Sequence, residues 1–133
     1  MKPRIRRRKL RREALFLIPL AAVAVKLFPA RRILKWAARS PHYPNRFADS
    51  ELPEQIAAAV TARAAWFNLE APCLPTALVA QSMLRRRGVA SKLCLGVCRD
   101  ASGLAAHAWL EIDGRIVFGA AEKQFVPLAY FGS

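Results

Sequence analysis

Two segments in the middle of the chain carry apolar residues at helical spacing. In the first, four apolar residues stand three or four positions apart: Ile56, Val60, Ala64 and Phe67. This spacing predicts a helix over 54–67, with Pro53 just before it, where a helix start tolerates proline. A second helix is predicted from about Cys73 to Arg87, and Gly88 is a suitable residue to end it.

Beyond the second helix the pattern changes to a period of two, which is typical of strands. The pattern predicts strands at about 93–98, 105–112, 115–118 and 124–131, with a turn at 99–103 between the first two. Asp113-Gly114 is a strong signal for a two-residue hairpin turn. Helices that precede an antiparallel sheet predict an α+β fold.

The positive charge is concentrated near the amino terminus. Residues 1–39 hold 13 of the 22 Lys and Arg side chains and one acidic residue, Glu13, which is a net charge of +12 out of +13. The remaining 94 residues are close to neutral and have the length of one ordinary domain. Three prolines favour a linker at 40–53. The chain is therefore predicted to consist of a basic, partly apolar helical arm (1–39), a linker and a domain (54–133).

The apolar part of the arm, Ala14 to Val25, lies between two groups of basic residues. As a helix it would be about 18 Å long, shorter than the ~30 Å hydrocarbon core of a membrane. The flanking arginines favour a helix that packs on the domain, or one that contacts an anionic membrane surface or partner. A secretory signal and a solvated, frayed terminus are the alternatives. We expect no nucleic-acid binding, because the arm lacks aromatic residues among its arginines and no base-reading module is present.

The candidate chemistry begins with Cys73. Pro75 cannot lie in a helix interior, so it belongs to the first turn and Cys73 stands at the helix start. The backbone N–H groups and the positive end of the helix dipole favour the thiolate there, which is the nucleophilic form of cysteine. Three cysteines are too few for a fully paired disulfide framework and fit a reducing, cytoplasmic compartment.

His107, on the second predicted strand, is the candidate proton partner of Cys73. A thiolate that attacks a carbonyl needs a group to hold its proton and deliver it to the leaving amine, and histidine titrates in the right range. Trp109 shares the strand face of His107 and is a candidate to line the site. Gln81, two turns after Cys73, is a candidate donor to a developing oxyanion. Ordinary packing is the alternative for each.

The other cysteines, Cys94 and Cys98, are four residues apart on one strand face, a spacing that fits no familiar zinc site. Cysteines in such apolar surroundings usually pack as small hydrophobic residues. We therefore expect neither a bound metal nor a cofactor.

Two segments of the chain, 71–97 and 105–114, resemble one protein family. The motifs that carry the resemblance are Cys-Leu-Pro at 73–75, Leu-Arg-Arg-Arg-Gly at 84–88 and His-Ala-Trp at 107–109. They resemble the C-terminal peptidase domain of lasso-peptide biosynthesis protein B, the bacterial microcin-processing protease. That family is a branch of the transglutaminase-like cysteine hydrolases, and the resemblance covers about residues 55–131.

The resemblance implies a transglutaminase-like (papain-like) fold and a cysteine peptidase that removes the leader from a ribosomally made lasso-peptide precursor. In this family Cys73 matches the nucleophile and His107 the general base. The implied partners are the precursor leader, a separate leader-recognition protein and an asparagine-synthetase-like cyclase that uses the freed amine. A catalytically inactive scaffold that presents the precursor to the cyclase is the alternative.

The third catalytic residue does not follow the family pattern. Transglutaminase-like enzymes place an aspartate on the next strand, about a dozen positions after the histidine, and here that position falls at Gly119 or Ala120. Neither residue has a side chain that can orient an imidazole. Glu111 shares the strand face of His107 and is our predicted substitute. The alternatives are Asp113, Glu122, a backbone carbonyl or a water molecule.

Overall fold

The computed structural model describes residues 3–38, 51–67, 73–100, 103–119 and 126–132. These residues form four helices, namely α1 (Pro3–Leu27), α2 (Ala30–Ala37), α3 (Leu52–Ala64) and α4 (Cys73–Arg86). They are followed by four strands, namely β1 (Lys92–Asp100), β2 (Gly103–Ile112), β3 (Arg115–Phe118) and β4 (Val126–Gly132). The predicted α+β class, with helices preceding an antiparallel sheet, is confirmed.

The sheet is antiparallel throughout, in the order β3-β2-β1-β4. β1 and β2 occupy its centre and pair without a register shift from Lys92 opposite Glu111 to Asp100 opposite Gly103. The turn predicted at 99–103 is therefore shorter than expected, because backbone pairing continues to the ends of both strands.

The hairpin between β2 and β3 turns at Asp113 and Gly114, as predicted. Both residues have positive φ, 51° and 77°, the conformation that a tight two-residue hairpin requires. Ile112 pairs with Arg115 across the turn, and the register shifts by one residue before Leu110 pairs with Phe118. This bulge changes which residues of the following segment reach the middle of β2.

Helix α4 ends just before Gly88, as predicted, through a glycine with positive φ. Gly88 has φ +79°, and the N–H of Val89 donates to the Leu84 carbonyl at 2.9 Å. The N–H of Gly88 donates to the Arg85 carbonyl, also at 2.9 Å. This pair of hydrogen bonds is a Schellman motif, which satisfies carbonyls at the end of the helix and turns the chain toward β1.

One face of the sheet packs against the helices. Leu93 pairs with Leu110, Leu95 pairs with Ala108, and all four belong to or pack against one hydrophobic core. The core also contains buried side chains from α4, including Met83. Since side chains alternate along a strand, the residues between these positions belong to the other face of the sheet.

Helix α1 is an integral part of this core. Its side chains Leu10, Ala14 and Ile18 are buried in the same cluster as those of α3 and α4. The carboxylate of Glu13 accepts hydrogen bonds from Arg86 at 2.9 Å and from Arg87 at 2.6 Å. The predicted boundary between an arm and a domain is therefore not a boundary of the core, because α1 supplies apolar surface that α3 and α4 need to cover.

The predicted linker lies mostly outside the described residues, which resume at Glu51. Helix α3 begins at Leu52 rather than at residue 54, with Pro53 inside its first turn, where the missing N–H would have no helical partner. Within the described ranges, no helix has the length and apolar character needed to cross a membrane.

Candidate active site

Cys73 is the first residue of α4, as the position of Pro75 predicts. Its thiol is free and half-buried, and it packs against the edge of the hydrophobic core. The Thr76 hydroxyl donates to the Cys73 carbonyl at 3.3 Å, which helps to fix the first turn. Cys73 therefore lies among the backbone N–H groups at the positive end of the helix dipole.

The connection between α4 and β1 places Cys73 along the sheet. The segment 87–91 is short, so α4 and β1 run in opposite directions, and the Gln81 amide donates to the Ser91 carbonyl at 3.3 Å. Cys73 is eight residues before Gln81, roughly 12 Å along the helix axis, or between three and four residues of a strand. This distance places the start of α4 about level with Cys94 and Leu95 of β1.

His107 of β2 pairs with Gly96, one to two residues further along β1. It does not share the face that contacts α4, however. His107 alternates with Ala108 and Leu110, which belong to the core together with α4, so its side chain is assigned to the opposite face of the sheet. Cys73 and His107 are therefore separated by only a few residues along the sheet, but the His107 side chain is assigned to the face opposite α4.

The imidazole of His107 is held by a backbone carbonyl. Its Nε2 lies 2.6 Å from the carbonyl oxygen of Gly119. A carbonyl oxygen only accepts hydrogen bonds, so Nε2 carries the proton and Nδ1 is the acceptor atom of the neutral ring. The segment that follows β3 therefore determines which ring nitrogen carries the proton and how the ring is oriented.

Gly119 occupies a position that excludes a side chain. Its φ is +82°, and a Cβ there would lie 3.0 Å from the Ala108 carbonyl oxygen and 3.2 Å from the Trp109 Cα. Glycine lets the backbone come close enough to β2 for its carbonyl to reach His107. The family's aspartate position thus falls on a residue that supplies a carbonyl in place of a carboxylate, one of the alternatives left open by the sequence. Ala120 lies outside the described residues.

The prediction that Glu111 orients His107 is wrong. Glu111 is four residues along the strand from His107, or about 13 Å. Its Oε2 accepts from the Trp109 indole N–H at 2.8 Å and from the Cys94 thiol at 3.0 Å. Both hydrogen bonds lower the pKa of Glu111, and the one from Cys94 has the larger effect. Its carboxylate therefore holds the tryptophan and the buried thiol in place.

Trp109 lies beside His107, as their shared strand face predicts. The two rings are stacked, with centroids 6.1 Å apart and planes inclined by 20°. Trp109 is also buried. The ring thus forms one wall beside the imidazole, and Glu111 fixes the far end of that wall.

Cys94, on β1, is the second cysteine whose side chain the structure describes. It is fully buried, and burial, together with the hydrogen bond to Glu111, raises the pKa of Cys94 to about 12. Cys94 is therefore a protonated thiol at neutral pH and a poor nucleophile. The side chain of Cys98 lies outside the described residues.

Gln81 does not line the site. It is buried, and its amide nitrogen donates to the Ala37 carbonyl at 2.9 Å as well as to Ser91. These two hydrogen bonds engage both N–H groups of the amide and connect α4 to the end of α2 and to the start of β1. Gln81 is a structural link, because the carbonyls of Ala37 and Ser91 lie within its reach and Cys73 does not.

A family model described as the transglutaminase-like superfamily matches residues 14–129. The chain belongs to the transglutaminase-like superfamily. The match begins within α1, which agrees with the burial of that helix in the common core. Searches of curated proteins and of solved structures find no match.

This superfamily includes cysteine proteases, and the described residues supply two parts of such chemistry. Cys73 supplies a thiol at a helix start, and His107 supplies an imidazole whose protonated nitrogen is fixed. The sequence did not favour a backbone carbonyl as the partner of His107, because every residue has a carbonyl and no residue type marks the one that is used. The glycine at the expected aspartate position was the only available signal.

Proposed function

We propose that this transglutaminase-like protein is a cysteine peptidase that removes the leader peptide from a ribosomally made lasso-peptide precursor. The observation that supports it best is the contact between His107 Nε2 and the Gly119 carbonyl. That contact assigns the ring proton to Nε2, which makes Nδ1 the nitrogen that would take the proton of Cys73. The motifs at 73–75, 84–88 and 107–109 support the particular substrate.

In the proposed reaction, Nδ1 of His107 takes the proton of Cys73, and the thiolate attacks the scissile carbonyl carbon. The Cys73 backbone N–H at the helix start stabilises the oxyanion of the tetrahedral intermediate. Collapse breaks the C–N bond, and the imidazolium returns its proton to the leaving amine of the core peptide. Water then hydrolyses the thioester, so the leader leaves as a carboxylate and Cys73 regains its proton.

The chemistry of the products defines the proposed partners. The free amine of the core peptide is the group that an asparagine-synthetase-like cyclase would join to a side-chain carboxyl to close the ring. A separate recognition protein would hold the leader, as the resemblance at 73–75, 84–88 and 107–109 implies. The proposed reaction takes place in the cytoplasm and uses neither a metal nor a cofactor.

The test of cleavage uses the full chain, a synthetic precursor and the recognition protein, both taken from genes beside the coding gene. We expect mass spectrometry to show the leader and the core peptide as separate products. Cys73→Ala and His107→Ala should each abolish release, while Cys94→Ala, the matched control, should retain it because that thiol is protonated. Release that survives Cys73→Ala would refute the proposal.

A second test measures whether the two side chains meet. A His107→Cys variant, with Cys94 and Cys98 changed to alanine, is oxidised with and without precursor. A disulfide between residues 73 and 107 forms only when their Cβ atoms come within about 4 Å. Formation of this bond is expected with precursor bound and would show that positions 73 and 107 come within reach of each other.

The scaffold function remains the second candidate, and one observation favours it. Strand alternation assigns His107 to the sheet face opposite that packed on α4, and no carboxylate stands at Gly119. An inactive scaffold would bind precursor and cyclase without releasing the leader. In the cleavage experiment, precursor binding without release by the unmodified chain would support the scaffold and exclude the peptidase.

A further inference from the structure

Helix α1 carries a second apolar surface besides the one that it buries. We define the α1 stripe as Phe16, Leu20, Val23 and Leu27, which recur every three or four residues and so share one side of the helix. Their side chains are 52% to 73% exposed. The buried residues Leu10, Ala14 and Ile18 lie on the other side of the same helix, so the stripe is not needed for the core.

The α1 stripe borders an open apolar groove between α1, α2 and α4. The groove has a volume of about 530 Å³. Its walls include Leu17, Leu20 and Ala24 of α1 and Leu78 of α4. An exposed apolar surface that continues into a groove is unusual for a protein that contacts only water.

The polar groups around this surface are cationic. Lys9 and Arg12 precede Phe16 by seven and four residues, so they extend the same side of α1, and both are exposed. Arg32 and Lys35 of α2 are exposed and line the groove itself. Basic side chains thus stand at both ends of an apolar surface about 17 Å long, measured from Phe16 to Leu27.

Acidic groups are missing from this surface within the described part of α1 and α2. Glu13 is the single acidic residue between 3 and 38. It faces α4, where it pairs with Arg86 and Arg87. The field over the α1 stripe is therefore positive, and the occupant that complements it has to be apolar and anionic.

We infer that the α1 stripe and its groove dock this protein onto the surface of an anionic lipid bilayer. The stripe is too short to span a membrane and fits a helix lying in the interface, with apolar side chains below the headgroups and cations among the phosphates. Phe16, Phe28 and Trp36 are exposed or partly exposed at the ends of the surface, where aromatic rings favour the boundary between water and lipid. This inference is independent of the proposed peptidase activity.

The test is sedimentation of the full chain with vesicles, of phosphatidylcholine alone or mixed with phosphatidylglycerol. We expect binding to the anionic vesicles, weakened by high salt, and little binding to the neutral ones. The triple variant Phe16→Gln, Leu20→Gln, Leu27→Gln should lose at least tenfold in partitioning. It should still fold, because these side chains are exposed and glutamine is a good helix former; circular dichroism checks this.

Matched controls distinguish vesicle binding by this surface from nonspecific adsorption of the protein. Trp66→Gln with Ile116→Gln removes two other exposed apolar side chains and should leave vesicle binding unchanged. Arg32→Gln with Lys35→Gln should weaken binding about 25-fold, at about fivefold for each charge. Arg115→Gln with Lys92→Gln, which removes two exposed charges elsewhere, should have a much smaller effect.

Three results would overturn the inference. They are equal binding to neutral and anionic vesicles, no binding to either, and equal loss of binding in the test and control variants. Light scattering without vesicles provides a further check. A dimer that the triple variant abolishes would show that a second copy of the chain covers the stripe, which also contradicts the lipid proposal.

Discussion

His107 Nε2 lies 2.6 Å from the carbonyl oxygen of Gly119, and this contact depends on the absence of a side chain at residue 119. A Cβ there would meet the Ala108 carbonyl oxygen at 3.0 Å. The orientation of the imidazole is therefore tied to how closely the segment after β3 approaches β2. A carboxylate partner would not impose this requirement, because a side chain bridges a longer distance.

Gly119→Ala is expected to lower the free energy of unfolding and to change the tautomer of His107. The positive φ costs about 1–3 kcal/mol for alanine, and the contact with β2 forces the segment away. We expect the Nε2–H tautomer of His107, detected by nitrogen NMR of the imidazole, to lose its preference. Under the proposed function, leader release should fall at least tenfold.

The matched control for this change is Gly114→Ala. Gly114 has φ +77° but no atom within 4 Å of a Cβ built there. It therefore carries the same backbone cost without the clash, and the His107 tautomer should be unchanged. Equal effects of the two variants on that tautomer would show that the Gly119 contact does not orient the ring.

Cys73 and Cys94 should react at different rates with iodoacetamide at neutral pH. Cys73 is half-buried at a helix start, whereas the pKa of Cys94 is raised to about 12 by burial and by its hydrogen bond to Glu111. We expect Cys73 to be alkylated at least tenfold faster, as measured by peptide mass spectrometry of the folded protein. In denaturant the two rates should become similar, and a difference that persisted there would contradict this explanation.

Glu111→Gln should change how stability depends on pH. The folded pKa of Glu111 lies below its ordinary value of 4.5, so the ionised carboxylate stabilises the folded state above that pH. The contribution is lost as the pH falls from 4.5 through the lower, folded value. Urea unfolding should therefore show the unmodified protein more stable than the variant at pH 6, with the difference shrinking in acid.

A control for this measurement is Glu54→Gln, which removes an exposed carboxylate from the first turn of α3. Its stability difference should be small and should change little over the same pH range. A pH profile for Glu111→Gln that matched this control would show that the hydrogen bonds from Trp109 and Cys94 do not depend on the ionised carboxylate.

Glu13→Gln should loosen α1 from α4. The Glu13 side chain is 14% exposed and accepts from Arg87, which is 24% exposed, so the pair is only partly screened by water. We expect a loss of about 1–2 kcal/mol in the free energy of unfolding, within the range for hydrogen bonds to charged groups. Arg86 contributes less because its side chain is 62% exposed, and Arg86→Gln should cost under about 1 kcal/mol.

Local signals in the sequence predicted most of the secondary structure. Pro75 fixed the start of α4, because the proline ring is compatible with only the first helical turn. Gly88 and the Asp113-Gly114 pair marked their turns, because each needs a positive φ. The turn at 99–103 was predicted too long, since the extent of pairing between β1 and β2 depends on both strands together.

The site was less predictable than the fold. Glu111 is an even number of residues from His107, so the two share a strand face. The register between β1 and β2 places Cys94 opposite Trp109, however, and both of these side chains donate to the Glu111 carboxylate. Gln81 has the right helical spacing from Cys73, but the ends of α2 and β1 bring two carbonyls to its amide. In both cases the partner comes from another element, at a distance that one segment cannot reveal.

The sequence by itself determined the order of helices and strands, the place of Cys73 at a helix start, and the absence of a carboxylate at the position after His107 where the family has one. These are local properties of proline, glycine and the apolar period. The tertiary structure decided the rest: that α1 belongs to the core, that His107 alternates with strand residues packed in that core, and that the Gly119 carbonyl lies against the His107 ring. Each of these depends on the register and packing between segments distant in the chain, where side-chain type alone carries no information about distance.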